Sequence, residues 1–312
     1  MAALPAAPVF SPDHDYGDHL GDARLWTPYV TEVLRRHGLR DGVSGQAPES
    51  GFVGTYPTFL CGPYVVKLFG HFGTWRTSYD TEVAMQRLLL DNPDIPAPRL
   101  VAAGQLYDGA SESWPYLVTS RLRGRAWRDV RPPGCVGTRL AGRIGEIVRR
   151  LHELTPPDFV ARAGDWPRDN RAGVVDRHRA WGSLPRSLVD QIPDFLLTPS
   201  PSRRLIHADL TEDHFFLSDD ELVGIIDWGD ALATDPYYEL AALHLGAFEG
   251  DVSLLRAFVD GYGWPVDDEF AQRAMSMALM HQFDVFPGFR HVARRTDVAD
   301  LHDLAAILWD VG

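Results

Sequence analysis

The sequence predicts an α+β fold in which a small strand-rich part precedes a larger, mainly helical part. Three observations carry this reading. Between residues 50 and 120 the chain runs in short apolar stretches punctuated by Gly, Pro and Ser. From Thr138 to His152 apolar residues recur at helical spacing. The polar stretch Arg121-Leu122-Arg123-Gly124-Arg125 separates the two regimes.

Taken in order, residues 11–21 are polar, and Leu25, Tyr29, Val33 and Leu34 then follow helical spacing until Gly38 stops the run. Ser50 through Pro57 reads as a turn-rich loop. Thr58-Phe59-Leu60 and Tyr64 through Phe69 form a predicted hairpin about Gly62-Pro63. A helix is expected over Ser78–Leu90, with Val83, Met85, Leu88 and Leu89 on its apolar side. Strands are expected at Arg99–Ala103 and Tyr116–Ser120, and the helix from Thr138 ends before Pro156-Pro157. The predicted organisation is a leader and helix over 1–44, a strand-rich lobe over 45–120 and a helical lobe over 121–312. No internal repeat or low-complexity segment interrupts it.

Composition narrows the function. Apolar residues make up 45% of the chain and charged residues 23%, as in a folded soluble protein. A net charge of -13 argues against a nucleic-acid partner, because phosphates need a cationic footprint, and favours cationic small molecules. Cys61 and Cys135 are too few and too separated for a metal or disulfide framework, which predicts reduced thiols and a cytoplasmic setting. Neither a secretion signal nor a membrane span is expected. The oligomeric state is not encoded in any recognisable pattern.

Lys67 is the only lysine among 30 basic residues, and it lies in the apolar run Tyr64-Val65-Val66-Lys67-Leu68-Phe69. An ammonium is a compact point charge suited to phosphates, where guanidinium is a rigid fork; chance survival in an arginine-rich composition is the competing account. Two later segments favour the phosphate. In Leu205-Ile206-His207-Ala208-Asp209-Leu210-Thr211-Glu212-Asp213-His214-Phe215-Phe216-Leu217, apolar runs flank a polar loop, and Leu222-Val223-Gly224-Ile225-Ile226-Asp227-Trp228-Gly229-Asp230 is an apolar strand ending in aspartate. Carboxylates at two strand ends together with an upstream lysine are the parts of metal-assisted phosphoryl transfer. Asp209 would orient or deprotonate a hydroxyl, Asp227 would hold Mg2+, and Lys67 would neutralise phosphates.

These segments resemble the aminoglycoside phosphotransferase family, over roughly residues 45–285. The family's His-x-Asp, with Asn five residues after the Asp, appears as His207-Ala208-Asp209 with His214 in the Asn place. Its metal-binding Asp appears in Ile226-Asp227-Trp228 and its nucleotide lysine in Val66-Lys67-Leu68. The stretches Val65–Gly70, Trp114–Val118 and Leu243–Asp251 are most similar to hygromycin B phosphotransferases. The resemblance implies a bilobal protein-kinase-like fold, with ATP and Mg2+ as cofactors. It further implies Asp209 as base, and His207 more as organiser of its loop than as proton carrier. Glu82 becomes the partner of Lys67, with an exposed helix-start glutamate as the alternative. Gly51, Gly54 and Thr55 fall on the loop that would cover the phosphates, and Ser120 and Leu122 on the adenine hinge. His214 is the departure: it either gives a nitrogen to the metal site, making Mn2+ an alternative ion, or is structural.

Residues 205–290 hold 17 Asp or Glu against three Arg, a formal balance of -14. That asymmetry would attract a cationic aminoglycoside or aminocyclitol. Asp230, Asp235, Glu239, Glu249, Asp251 and Asp284 are the candidate ammonium contacts, and Trp228, Trp264 or Phe286 could offer a flat surface to a sugar. A kinase for another hydroxylated metabolite is the enzymatic rival, and a nucleotide-responsive binding protein the non-enzymatic one.

Overall fold

The computed structural model describes residues 4–10, 14–39, 47–71, 73–108, 113–286 and 298–312. The expected boundary between residues 44 and 45, and Arg290, lie outside the described residues. The chain divides into two compact units, Met1–Pro93 with Ala97–Leu122, and Asp94–Pro96 with Arg123–Gly312.

The first unit contains α1 (His14–His19), α2 (Ala23–Arg36), β1 (Glu49–Ser50), β2 (Thr58–Cys61), β3 (Tyr64–Leu68), α3 (Trp75–Leu90), β4 (Leu100–Gln105) and β5 (Pro115–Ser120). The strands form one antiparallel sheet in the order β1-β2-β3-β5-β4. The predicted hairpin closes through Gly62, whose φ of 56° is the left-handed value a two-residue turn needs. Alternation then assigns the faces. Phe59, Cys61, Val66, Leu68, Tyr116 and Val118 share a core with Trp26, Tyr29, Val30, Val33 and Leu34 of α2. The opposite face carries Lys67 and Leu117, and Leu117 packs with Tyr56, Phe69, Trp75 and Val83. Asp22 caps α2 by accepting from the Arg24 and Leu25 amides, and Gly38, at φ 66°, follows its end. α3 begins at Trp75, ahead of the expected Ser78, because the buried Trp75 anchors an extra first turn.

The second unit contains β6 (Arg125–Ala126), α4 (Trp127–Val130), α5 (Gly134–Glu153), α6 (Asp158–Arg162), α7 (Trp166–Asp169), α8 (Val174–Trp181), α9 (Arg186–Val189), α10 (Ile192–Phe195), β7 (Arg204–Ile206), β8 (Phe215–Ser218), β9 (Glu221–Ile225), β10 (Leu232–Thr234), α11 (Val252–Tyr262), α12 (Phe270–Leu279) and α13 (Leu301–Trp309). Ala241–Ala247 is a π-helix. β7 pairs with β10, and β8 lies between β6 and β9, all antiparallel. The expected helix over Thr138–His152 is present and starts earlier, at Gly134, directly after Pro133, whose ring fixes φ at the entry. It packs against α11 with backbones in near contact: a Cβ on Gly145 would lie 2.2 Å from the Phe258 carbonyl oxygen, and one on Gly261 would lie 2.1 Å from that of Gly142. Glycine is required at both crossings. Among the described residues no helix is long and apolar enough to cross a membrane.

The helical core encloses imidazoles. Burial pushes His244 and His281 down to about 4, against an ordinary value of 6.5, and the His244 Nε2 donates to the Leu308 carbonyl at 2.7 Å. Because the folded-state values are depressed, the unfolded chain binds more protons between pH 6.5 and 4. The contribution of these two histidines to stability should therefore hold above pH 6.5 and fall as pH drops toward 4, by up to ~1.4 kcal/mol per pH unit for each. Urea midpoints measured at pH 7.5 and 5.0 check this, and His244→Gln should flatten the slope; an equal slope in both proteins would refute it.

Candidate active site

In the first unit Lys67 sits on β3 opposite Thr58 and Leu117, which turns its side chain toward α3. Its Nζ donates to Glu82 Oε2 at 2.8 Å, and the two side chains are only 12% and 6% exposed. Glu82 is thus a buried partner and not an exposed helix-start residue. The ammonium also lies 5.6 Å from the ring centroid of Tyr56 and 5.2 Å from that of Phe69. Low exposure, a carboxylate and two aromatic faces all restrain this cation. Gly54 and Thr55 lie exposed on the loop before β2, and Gly51 anchors that loop by donating its amide to the Thr58 carbonyl at 2.8 Å. Ser120 Oγ accepts from the Arg99 amide at 2.9 Å, and Leu122 is the last residue of the unit.

In the second unit β7 runs directly into His207-Ala208-Asp209. Ala208 has φ 69°, a left-handed conformation unusual for a residue with a Cβ. Glu239 holds this turn: it is fully buried, and its two carboxylate oxygens accept from the His207 amide at 2.7 Å and the Ala208 amide at 3.0 Å. His207 uses both ring nitrogens internally. Nε2 donates to the Ile226 carbonyl at 3.0 Å, and Nδ1 accepts from the Asp209 amide at 3.3 Å. Burial lowers its pKa to about 4, so the ring is neutral and its proton is committed to Ile226.

Asp209 and Asp227 then flank His214. The imidazole Nδ1 bonds the Asp209 carbonyl oxygen at 2.5 Å, which makes Nδ1 the donor and turns the Nε2 lone pair toward Asp227, whose Oδ2 is 3.8 Å away. The Asp209 carboxylate lies 3.6 Å from Nδ1. Burial lifts the Asp209 carboxyl to about 7; His214 pulls it down, while Asp230, Asp227 and Glu239 push it further up. Asp227 itself takes φ 63° and is 39% exposed at the side chain. One accessible carboxylate with an imidazole nitrogen beside it fits a divalent cation that draws most of its ligands from bound phosphates. Among the described residues no group of three or more His, Cys, Asp or Glu forms a cage for a metal.

The remaining acidic candidates separate by burial. Asp230 is half-buried and accepts from Gln282 Nε2 at 3.3 Å. Asp235 is buried, accepting from the Ser200 amide at 2.6 Å and the Tyr237 amide at 3.0 Å, so it caps a turn where an ammonium contact was expected. Glu239 is corrected in the same way, since its oxygens serve backbone amides inside the core. Asp284 accepts from the Ser183 hydroxyl and, at 3.1 Å, from the Phe286 amide. Asp251 caps α11, and the exposed Glu249 pairs with Arg131 at 3.4 Å. Trp228, Trp264 and Phe286 are buried, so none presents the expected flat face to a sugar.

Two contributors escaped the sequence reading. Arg128 clamps the loop after Asp209: its amide donates to the Glu212 carbonyl at 3.0 Å, and its guanidinium pairs with Glu212 at 3.3 Å and with Asp213. No local pattern marks it. Tyr56, the ring over Lys67, had a signal in its place on the turn-rich loop beside Thr55.

This arrangement, a lysine–glutamate pair on a strand-rich unit and paired aspartates at strand ends of a helical one, defines a kinase-like α+β fold. The chain belongs to the phosphotransferase enzyme family, APH, whose model matches residues 45–275. Among solved structures it is similar to the GDP and kanamycin complex of APH(2")-IIia, at 21% identity and a TM-score of 0.66, with 86% of this chain and 93% of that one covered. It is also similar to aminoglycoside phosphotransferase APH(3'')-Id from Streptomyces rimosus, at 20% identity and a TM-score of 0.55, covering 84% and 98%. A curated relative, lysine-specific demethylase JMJ21 of Arabidopsis thaliana, is 23% identical over 209 residues; the match spans 50% of this chain and only 22% of that protein.

Glu239→Gln should expose the dependence of the His207–Asp209 turn on a double acceptor. The amide can accept from one N–H but turns a donor toward the other, which should cost about 1–3 kcal/mol. Thermal or urea unfolding of E239Q measures the loss, and wild-type stability would rule out the anchoring role.

Proposed function

We propose that the protein transfers the γ-phosphoryl group of ATP to a hydroxyl of an aminoglycoside, with a hygromycin B-type aminocyclitol as the leading acceptor, and so confers resistance to it. The observation that carries the reading is the Asp209–His214–Asp227 constellation, with the two aspartates just beyond the ends of β7 and β9, in a chain of the phosphotransferase family. Residues 45–120 would bind nucleotide, and residues 121–312 would supply catalysis and acceptor binding.

In this scheme Lys67, oriented by Glu82, neutralises nucleotide phosphates, while Gly54 and Thr55 offer backbone donors and the main chain at Ser120–Leu122 meets the adenine. Asp209 accepts a hydrogen bond from the acceptor hydroxyl and takes its proton as the new oxygen–phosphorus bond forms and the bond to ADP breaks. His207 keeps Asp209 in place through the backbone. Mg2+, when bound, supplies charge neutralisation for the phosphates. Asp227 would hold it, with His214 beside it making Mn2+ a competent substitute. Asp230 is the acidic side chain best suited to an acceptor ammonium. A cytoplasmic setting would supply the ATP.

One observation favours a second reading, a kinase for a less cationic metabolite: Asp235 and Glu239 are spent on backbone amides, and Asp284 is engaged by Ser183, which leaves fewer carboxylates for ammonium groups. Mass spectrometry of an acceptor panel that includes hygromycin B, after incubation with ATP and Mg2+, separates the two. Phosphate gain on an aminoglycoside supports the first reading, and gain only on a neutral sugar or nucleoside supports the second.

Asp209→Asn keeps the shape and removes the proton acceptor. Turnover at saturating substrates should fall by about 100-fold or more, while ATP affinity changes little. Equal turnover in D209N would remove the base from the scheme. His214→Asn tests the metal neighbour. If the imidazole contacts the ion, the ratio of Mn2+- to Mg2+-supported rates should drop in H214N, since Mn2+ accepts nitrogen more readily. Parallel titrations of both metals on both proteins read this ratio, and an unchanged value makes His214 structural.

A further inference from the structure

Tyr16 lies on the six-residue helix α1, ahead of every element assigned a part in the proposed reaction, and is 5% exposed. Its hydroxyl donates to the Thr55 carbonyl at 3.2 Å, across 39 residues of sequence. Its ring rests against His71, 4.8 Å between centroids, and against Phe10 at 5.2 Å. His71 follows β3, the strand of Lys67, and takes φ 61° there. Tyr16 therefore touches both the loop before β2 and the exit of the lysine strand.

The next residue along the loop extends this link. Tyr56 packs on Phe69 at 4.9 Å, and its ring faces the Lys67 ammonium. A second contact presses on the same loop: a Cβ on Gly21, just before α2, would come within 3.1 Å of both Ser50 Oγ and Val53 Cγ2. Ahead of the buried Tyr56 and Pro57 the loop has little burial of its own, with Phe52 and Val53 57% and 55% exposed and Gly54 and Thr55 open to solvent.

We infer that Tyr16 is a positioning residue for nucleotide phosphates: by holding the Thr55 carbonyl it fixes the Gly51–Pro57 loop relative to the Lys67 strand. The inference rests on the proposed reading of that loop as the phosphate cover. It goes beyond that reading in giving the N-terminal helices a share in nucleotide affinity. A loop with a fixed carbonyl presents its amides in one arrangement, so the ordering entropy is not charged to each binding event.

The test uses the full chain with Tyr16→Phe, which keeps the ring and removes only the hydroxyl. Calorimetric titration should show ATP-Mg2+ binding weakened about two- to tenfold, the range expected for one neutral hydrogen bond, and adenosine binding unchanged. Hydrogen exchange should quicken over residues 50–57 and stay the same over α3. Gly21→Ala, which crowds Ser50 and Val53 without touching Tyr16, should also change ATP affinity and spare adenosine. Equal weakening of ATP and adenosine in both variants would mean a general structural role and overturn the inference, as would unchanged ATP affinity in Y16F. A wild-type protein that binds no adenine nucleotide would instead remove the phosphotransferase reading, and the inference with it.

Discussion

The carboxylate of Glu239 is the constraint on which the second unit's chemistry depends. Burying a carboxylate without partners is costly, and here two consecutive backbone amides, those of His207 and Ala208, donate to it, with the buried His152 Nε2 3.5 Å from Oε2. Two adjacent N–H groups can converge on one acceptor only if the chain turns between them, and the left-handed φ of Ala208 is that turn. A non-glycine residue in this region costs about 1–2 kcal/mol, a strain that two charge-assisted hydrogen bonds can offset. The turn frees the Asp209 side chain from the strand's alternation. His207 then ties the turn to the residue just beyond β9, Ile226, next to which Asp227 adopts a second left-handed conformation. Both aspartates are therefore placed by backbone geometry that buried partners enforce.

Charge in this region is unbalanced by design of the same packing. Asp209 is half-buried and loses solvation, and Asp230, Asp227 and Glu239 further disfavour its ionised form, with His214 acting in the opposite sense. Crowded carboxylates favour the approach of a cation, because any positive charge brought near relieves several repulsions together. A divalent ion beside Asp227 or an acceptor ammonium near Asp230 would both do this.

The strands and the chemistry-bearing loops were legible because their signals are local. Gly62-Pro63 between two apolar runs specifies a hairpin, and an apolar strand ending in aspartate needs no tertiary information to be noticed. Lys67 and Glu82 were legible as a pair because a strand and the next helix put them within reach. Asp235 and Glu239 were misread for the opposite reason. A count of carboxylates gives the field of a segment but not which of its members face water, and both residues precede or enter helical turns whose packing alone decides that they point inward. The same limit applies to Trp228, Trp264 and Phe286, whose rings were expected at the surface and fill the core. Arg128 lies 81 residues before Asp209 in sequence and meets the loop after it only through the fold.

The first unit meets a different demand. A five-stranded antiparallel sheet with apolar side chains on both faces must be covered twice, and α3 covers only the face of Lys67. The other face is closed by α2, whose Trp26 lies 5.2 Å from Trp114, while Trp114 occupies the space that a Cβ on Gly70 would invade at 2.6 Å. Gly70 lies three residues beyond Lys67, so the chain that leaves the lysine strand is shaped by the same aromatic cluster that seats the N-terminal helices. Loosening that cover would expose apolar surface and also relax the exit of β3 and the loop beside it. The helices that solve a burial problem on one face of the sheet thereby limit how far the polar groups on the other face can move.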